Sequence, residues 1–215
     1  MSFRQFSSSL VLLAAVCGLA CSGGPSGGGS AAVPEEVIEK NILGTAYLGQ
    51  FNWDPAAEAF SAALELRPTD PTLLNNLGVT RVQQNRLDEA AEQFALALQQ
   101  DGGHPWAHYN LGLLAKNDGD FATARTHFEA VAAYDADDLH TQYNLGSVLS
   151  RLDEPQRAET AFRKALDLNP THVSTLYALG QFLMQNGRQE EGIELIQRSE
   201  EIRTRHWDGG NAGEG

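Results

Sequence analysis

Tyr109-Asn110-Leu111-Gly112 returns every 34 residues. Asn75-Asn76-Leu77-Gly78 precedes it and Tyr143-Asn144-Leu145-Gly146 follows. One step further on stands Tyr177-Ala178-Leu179-Gly180, and two steps back stands Asn41-Ile42-Leu43-Gly44. Gly is 21 of 215 residues, so four further glycines at a fixed period have a chance probability of roughly 10⁻⁴. Strict self-similarity of this length is the mark of a stacked repeat.

The second half of each unit repeats too. Small residues stand 12 positions after the glycine at Ala56, Ala90, Ala124 and Ala158. Phe60, Phe94, Phe128 and Phe162 follow four later, then Ala63, Ala97, Val131 and Ala165 three later. Steps of four and three share one helix face. Leu74, Leu77 and Gly78, like Leu176, Leu179, Gly180 and Leu183, show the same period before the glycine. Each unit therefore reads as two amphipathic helices joined by a short turn.

A glycine inside a helix costs about 0.5–1 kcal/mol relative to alanine. Five such glycines imply close packing that compensates. The expected arrangement is a tight crossing, with Gly112 letting the first helix approach the second near Ala124. The phenylalanine then fills the wedge against the next unit.

This pattern resembles the tetratricopeptide repeat (TPR) family over about Val37 to Arg205. It carries the family's Leu-Gly, Ala, Phe and Ala positions and, at Pro68 and Pro170, its closing proline. The chain departs from the family where most units lack a first-position Trp and where Gly102 and Ala136 replace the proline. The fifth unit has Gly192, Ile196 and Ser199 at the conserved-type positions, as a terminal cap does. The resemblance implies an all-α, right-handed α-solenoid of five helix-turn-helix units at about 37–70, 71–104, 105–138, 139–172 and 173–206, within a repeat domain of 35–206.

The ends read differently. Residues 1–20 look like a signal peptide, with Arg4 in the n-region, an apolar stretch from Leu10 to Val16 and Gly18-Leu19-Ala20 before the cut. Leu19-Ala20-Cys21 also resembles a bacterial lipobox, which would make Cys21 a lipidated first residue; an ordinary thiol after cleavage is the alternative. Cys17 would be discarded, so the mature chain holds one cysteine and no disulfide framework. Residues 21–34 form a Gly/Ser-rich tether. By random-coil statistics it holds the array roughly 15–20 Å from its anchor. Residues 207–215 have the composition of a disordered tail.

Formal net charge is −13. Like-charge repulsion argues against nucleic acid and anionic lipid as partners. No phosphate loop, nucleophile elbow or paired-carboxylate motif appears, so enzymatic activity and cofactors are not expected. His104 and His108 are four apart, but Pro105 puts His104 ahead of the helix, and no metal site is expected. Asp135, Asp137 and Asp138 read as a solvated turn with helix capping.

In TPR proteins the first helix of each unit lines a concave groove. By that resemblance the groove positions here are Asn75, Asn76, Tyr109, Asn110, Tyr143, Asn144 and Tyr177, with Trp106 and His140 one turn earlier. Ser147 and Gln181 lie one turn beyond. The Asn76/Asn110/Asn144 column can bond the main chain of an extended peptide, because an amide both donates and accepts. The tyrosines add rigid contact area. The competing reading is that these asparagines brace neighbouring helices and the tyrosines pack within the array. The family's carboxylate-clamp subset uses groove lysines. Asn75, Tyr109 and Tyr143 take those places here, and only Lys116 and Arg151 come near, so a clamp is not expected.

The function expected is a non-catalytic scaffold binding a protein or peptide, lipid-anchored through Cys21 in the bacterial cell envelope, facing the periplasm or at the outer membrane. A soluble secreted adaptor and a regulatory module for a neighbouring enzyme are the alternatives. Self-association through open solenoid ends is a further possibility.

Overall fold

The computed structural model describes residues 33–209. Among these, ten α-helices and no strands occur. The chain divides into two compact units at Pro68/Thr69. The first holds α1 (Glu35–Gly49) and α2 (Trp53–Leu66). The second holds α3 (Pro71–Gln83), α4 (Leu87–Gln100), α5 (Pro105–Asp118), α6 (Phe121–Tyr134), α7 (Leu139–Arg151), α8 (Pro155–Leu168), α9 (Val173–Gln185) and α10 (Gln189–Gly209). Each odd-numbered helix pairs with the even-numbered helix that follows, so the fold is the expected all-α solenoid of helix-turn-helix units. Helix α10 continues through Gly209, three residues past the expected end of the fifth repeat at 206.

Helix starts follow the local chemistry. Asp70 caps α3 by accepting from the amides of Thr72 and Leu73, at 3.0 and 3.2 Å. Asp120 caps α6 and Asp138 caps α7 in the same way, at 3.0 and 2.9 Å. Such caps satisfy amides that the helix itself leaves orphaned. His104 does this for α5 with Nδ1, 3.2 Å from the amide of Ala107, which fixes it ahead of the helix as Pro105 implies.

Every turn inside a unit has one residue in the left-handed region: Phe51, Asn85, Gly119, Asp153 and Gly187. They too are 34 apart. Only two are glycine, so the sequence announces this periodic turn weakly; repeat geometry imposes it on the other three.

The repeated glycines meet aromatic rings. A Cβ on Gly112 would stand 2.9 Å from Cε1 of Phe128. Gly44 faces Phe60, Gly78 faces Phe94 and Gly146 faces Phe162, all 16 residues on. This corrects the expectation of a crossing against Ala124: within its own unit, the phenylalanine edge occupies the space the glycine vacates. The four rings are 0–2% exposed. In the fifth unit Ile196 replaces the ring and Gly192 replaces the alanine. There the crossing against the small residue does occur, with the carbonyl of Gly192 2.8 Å from where a Cβ of Gly180 would be.

Two pairs of successive even-numbered helices, α6–α8 and α8–α10, are each tied by a ring of four charges. Arg125 Nη1 and Arg157 Nη1 each bond Glu154 at 2.6 Å, and Arg157 Nη2 bonds Glu129 at 2.7 Å. One repeat on, every sign is reversed. Arg188 bonds Glu159 at 2.6 Å and also pairs with Glu191, while Arg163 bonds Glu159 and Glu191 at 2.8 and 2.7 Å. Each exposed pair contributes little, about 0–1 kcal/mol. The alternation has a use: a stack that skipped a unit would set Arg125 against Arg188. The rings therefore oppose slippage between otherwise similar repeats.

Candidate partner-binding face

The odd-numbered helices α5, α7 and α9 expose one row of aromatic side chains. Trp106 on α5 and Tyr177 on α9 are 44% and 43% exposed, and His140 on α7 is exposed. Tyr109 and Tyr143 are half-buried between them. Tyr109 stacks edge-on against Phe128 at 5.8 Å, and Tyr143 leans on Phe162 at 6.3 Å. His172, the residue directly before α9, packs its ring at 6.0 Å from His140 and 5.9 Å from Tyr143. Sequence reasoning did not single out His172; its place directly before a repeat of the Tyr143 helix was the available signal.

The asparagines point inward. Asn75, Asn110 and Asn144 are 2–4% exposed, which corrects the expectation that they line an open groove. Asn110 Nδ2 donates to Asn75 Oδ1 at 3.0 Å, joining α5 to α3. Asn144 Nδ2 donates to Tyr109 Oη at 3.2 Å and to the carbonyl of His140 at 2.9 Å, joining α7 to α5. In both bonds the residue before a Leu-Gly donates to the residue two before the preceding Leu-Gly. Buried amides need such partners, and the bracing reading supplies them. At the next step Ala178 has no amide to give, so the ladder stops. Asn76 is half-buried, and its backbone carbonyl accepts from Thr80 Oγ1 at 2.9 Å. One turn beyond the aromatic row, Gln181 donates to Tyr177 Oη at 2.9 Å.

Lys116, two turns after Tyr109 on α5, reaches the same place. Its Nζ donates to Asn144 Oδ1 at 2.6 Å and lies 5.6 Å from the centre of the Tyr143 ring. Burial lowers the pKa of Lys116. Burial, helped by the negative charge of Asp138, pushes the Tyr109 hydroxyl up to about 12. The phenol is therefore fully protonated at neutral pH and its O–H is a donor.

A separate histidine pair ties α5 to α6. His108 Nδ1 and His127 Nδ1 are 2.9 Å apart, and His108 Nε2 lies 3.0 Å from the carbonyl of Gly102. The carbonyl can only accept, so His108 Nε2 carries a proton and its Nδ1 accepts from His127. Burial lowers the pKa of His127, His104 and His172 below 6.5; His108 adds to this at His127 and His140 at His172. The fold thus prefers these imidazoles neutral. Their contribution is complete above about pH 6.5 and is lost as pH falls through the lowered folded values. Hydrogen bonds from Arg157 and Arg125 hold Glu154 below 4.5, so that contribution disappears only at lower pH. Melting temperature is expected to fall between about pH 7.5 and about 5.5, and His127→Asn to shrink the fall. Thermal scans at the two values check this; a flat or rising profile contradicts it.

Fold and repeat together define the class: the chain carries a tetratricopeptide-repeat fold. Residues 43–105 match the tetratricopeptide repeat family, and residues 109–206 match the cilia and flagella-associated protein 70 middle TPR-like domain. No curated protein matches the chain. Among solved structures it is similar to MamA, described in a crystal structure, at 19% identity and a TM-score of 0.69, over 77% of this chain and 97% of that one. It is also similar to MamA 41-end from Desulfovibrio magneticus RS-1, at 19% identity and a TM-score of 0.73, over 81% and 98%. The MamA RS-1 ArsTM double mutant matches at 19% identity and a TM-score of 0.74, over 81% and 98%.

Proposed function

We propose that the protein is a non-catalytic scaffold that holds an extended protein or peptide segment against the α5–α7–α9 face, and that it does so as a lipid-anchored component of a bacterial cell envelope. The observation that carries the first part is the row of Trp106, His140, Tyr143 and Tyr177, rings presented on rigid helices with part of their area open. Aromatic side chains fixed in this way give large contact area at little entropic cost. The buried asparagines set the spacing of that row rather than touching the partner. The envelope part rests on the leader-like stretch before Cys21 and the Gly/Ser run after it, which lie outside the described residues.

Two variants test the two parts separately. Trp106→Ala/Tyr177→Ala removes exposed rings and leaves the packing of α5 and α9 in place. Crosslinked capture from native membranes is expected to lose the partner that wild type retains. Retention by a folded double variant removes this face from the function. Cys21→Ser is expected to move the protein from the membrane to the soluble fraction; a variant that stays with the membrane contradicts the anchor.

A further inference from the structure

Lys116 is a half-buried cation with no carboxylate among its described contacts. Its neighbours are an amide oxygen and an aromatic face. This contrasts with Arg157, Arg163 and Arg188, each of which is bound to glutamates although each is exposed. In a chain of net charge −13, a half-buried cation with no ion pair among the described residues is conspicuous. Withdrawing an ammonium from water is unfavourable unless a charge or a full set of acceptors replaces the water. One amide oxygen satisfies one of its three N–H donors.

A second donor stands beside it. Tyr109 Oη accepts from Asn144 Nδ2, while Lys116 Nζ donates to Asn144 Oδ1, so hydroxyl and ammonium flank the two ends of one amide. Asn144 is itself fixed by its bond to the carbonyl of His140. The Tyr109 proton is not used in any described contact. The rings of Tyr143 and His172 form the wall next to this pair.

We propose that this point between α5 and α7 is an anion seat for one carboxylate of the bound partner: one oxygen takes Lys116 Nζ, and the other takes the Tyr109 O–H. The inference rests on the α5–α7–α9 face being the binding surface and says what chemistry that surface reads. A carboxylate fits better than a phosphate. There is one positive charge, Asp138 adds negative potential near Tyr109, and the protein as a whole repels polyanions. The segment recognised therefore carries a single acid among apolar or basic residues, whose apolar part lies on Tyr143 and Trp106. The lysine reaches the seat from beyond Gly112, and not from the places of Asn75, Tyr109 or Tyr143, where a carboxylate clamp has its lysines.

The test uses three mixed octapeptide pools on the full-length protein: one without Asp or Glu and with a free C-terminus, one amidated with a single internal Glu, and one amidated without any acid. Binding is read by fluorescence anisotropy and by the NMR signal of the Asn144 side-chain amide. Variants are Lys116→Met and Tyr109→Phe. Acid-bearing pools are expected to bind wild type at least about tenfold more tightly than the neutral pool, to shift Asn144, and to lose that advantage in Lys116→Met. Preference for the first pool assigns the carboxylate to a chain terminus, and preference for the second assigns it to a side chain. Equal binding of all three pools overturns the seat while leaving the face as the binding surface. Binding by none overturns both. Lys116→Met removes an uncompensated charge but also leaves the buried Asn144 Oδ1 without its donor, so a modest fall in melting temperature is expected and the pool preference decides the test. A lower melting temperature together with unchanged pool preference makes Lys116 an architectural residue and overturns the proposal.

Discussion

Gly146→Ala destabilises the protein, and Gly146→Leu does so far more. An added Cβ at Gly146 falls 2.6 Å from Cδ1 and 2.7 Å from Cγ of Phe162. Those atoms sit near the base of a ring that is 2% exposed, so the ring has nowhere to turn. Overpacking of this kind costs about 1–3 kcal/mol. The gain in helix propensity from replacing glycine returns only about 0.5–1 kcal/mol. Alanine is thus expected to lower stability by about 1–2 kcal/mol, and leucine by more than about 3. At Gly112 the contacts are looser, 2.9 Å to Cε1 and 3.0 Å to Cζ of Phe128, so Gly112→Ala costs less than Gly146→Ala, while Gly112→Leu still exceeds Gly112→Ala. Pairing Gly146→Ala with Phe162→Leu gives the added methyl room. The double variant is expected to be more stable than the sum of the two single changes by about 1 kcal/mol. Urea unfolding measures all of these, and strict additivity would sink the wedge argument.

Asn110→Leu comes next in size. It leaves Asn75, 2% exposed, with an amide oxygen that has lost its donor. An orphaned buried acceptor costs about 1–3 kcal/mol, whereas replacing both partners by apolar groups is close to neutral. Asn75→Leu/Asn110→Leu is therefore expected to recover most of the stability lost in Asn110→Leu. The double-mutant cycle reads this directly. If the double variant is as unstable as the two losses combined, the pair is not a shared bond between α3 and α5. The outcome also bears on function, since a braced asparagine changes the partner face only by moving helices.

The architecture was largely written in the 34-residue period. Leu-Gly, Ala, Phe and Ala at fixed offsets determine two amphipathic helices per unit, because only a 3.6-residue turn gathers them on one face. Asp70, Asp120, Asp138 and Pro105 mark where helices begin, since capping is local chemistry. The aromatic row is legible for the same reason: Trp106, Tyr109, His140, Tyr143 and Tyr177 sit at repeat positions on one helix face. What each glycine accommodates was not legible. Period and composition suit a close approach to Ala124 and to Phe128 equally well, and the choice depends on how far the second helix is rotated.

The asparagine column shows the boundary most sharply. From the sequence alone, Asn110 and Asn144 offer amides at one helix position, and an amide serves a peptide or a neighbouring helix with the same chemistry. Only the approach of α3, α5 and α7 decides that the amides are spent between helices, while the tyrosines and Trp106 stay within reach of solvent. The seat formed by Lys116, Asn144 and Tyr109 likewise exists only once α5 and α7 lie side by side, because its members are 28 and 35 residues apart along the chain. Local periodicity determined the helices and the face they share. Tertiary contact decided which polar groups on that face are satisfied internally, and it placed Lys116 beside Asn144 with no carboxylate among its described contacts.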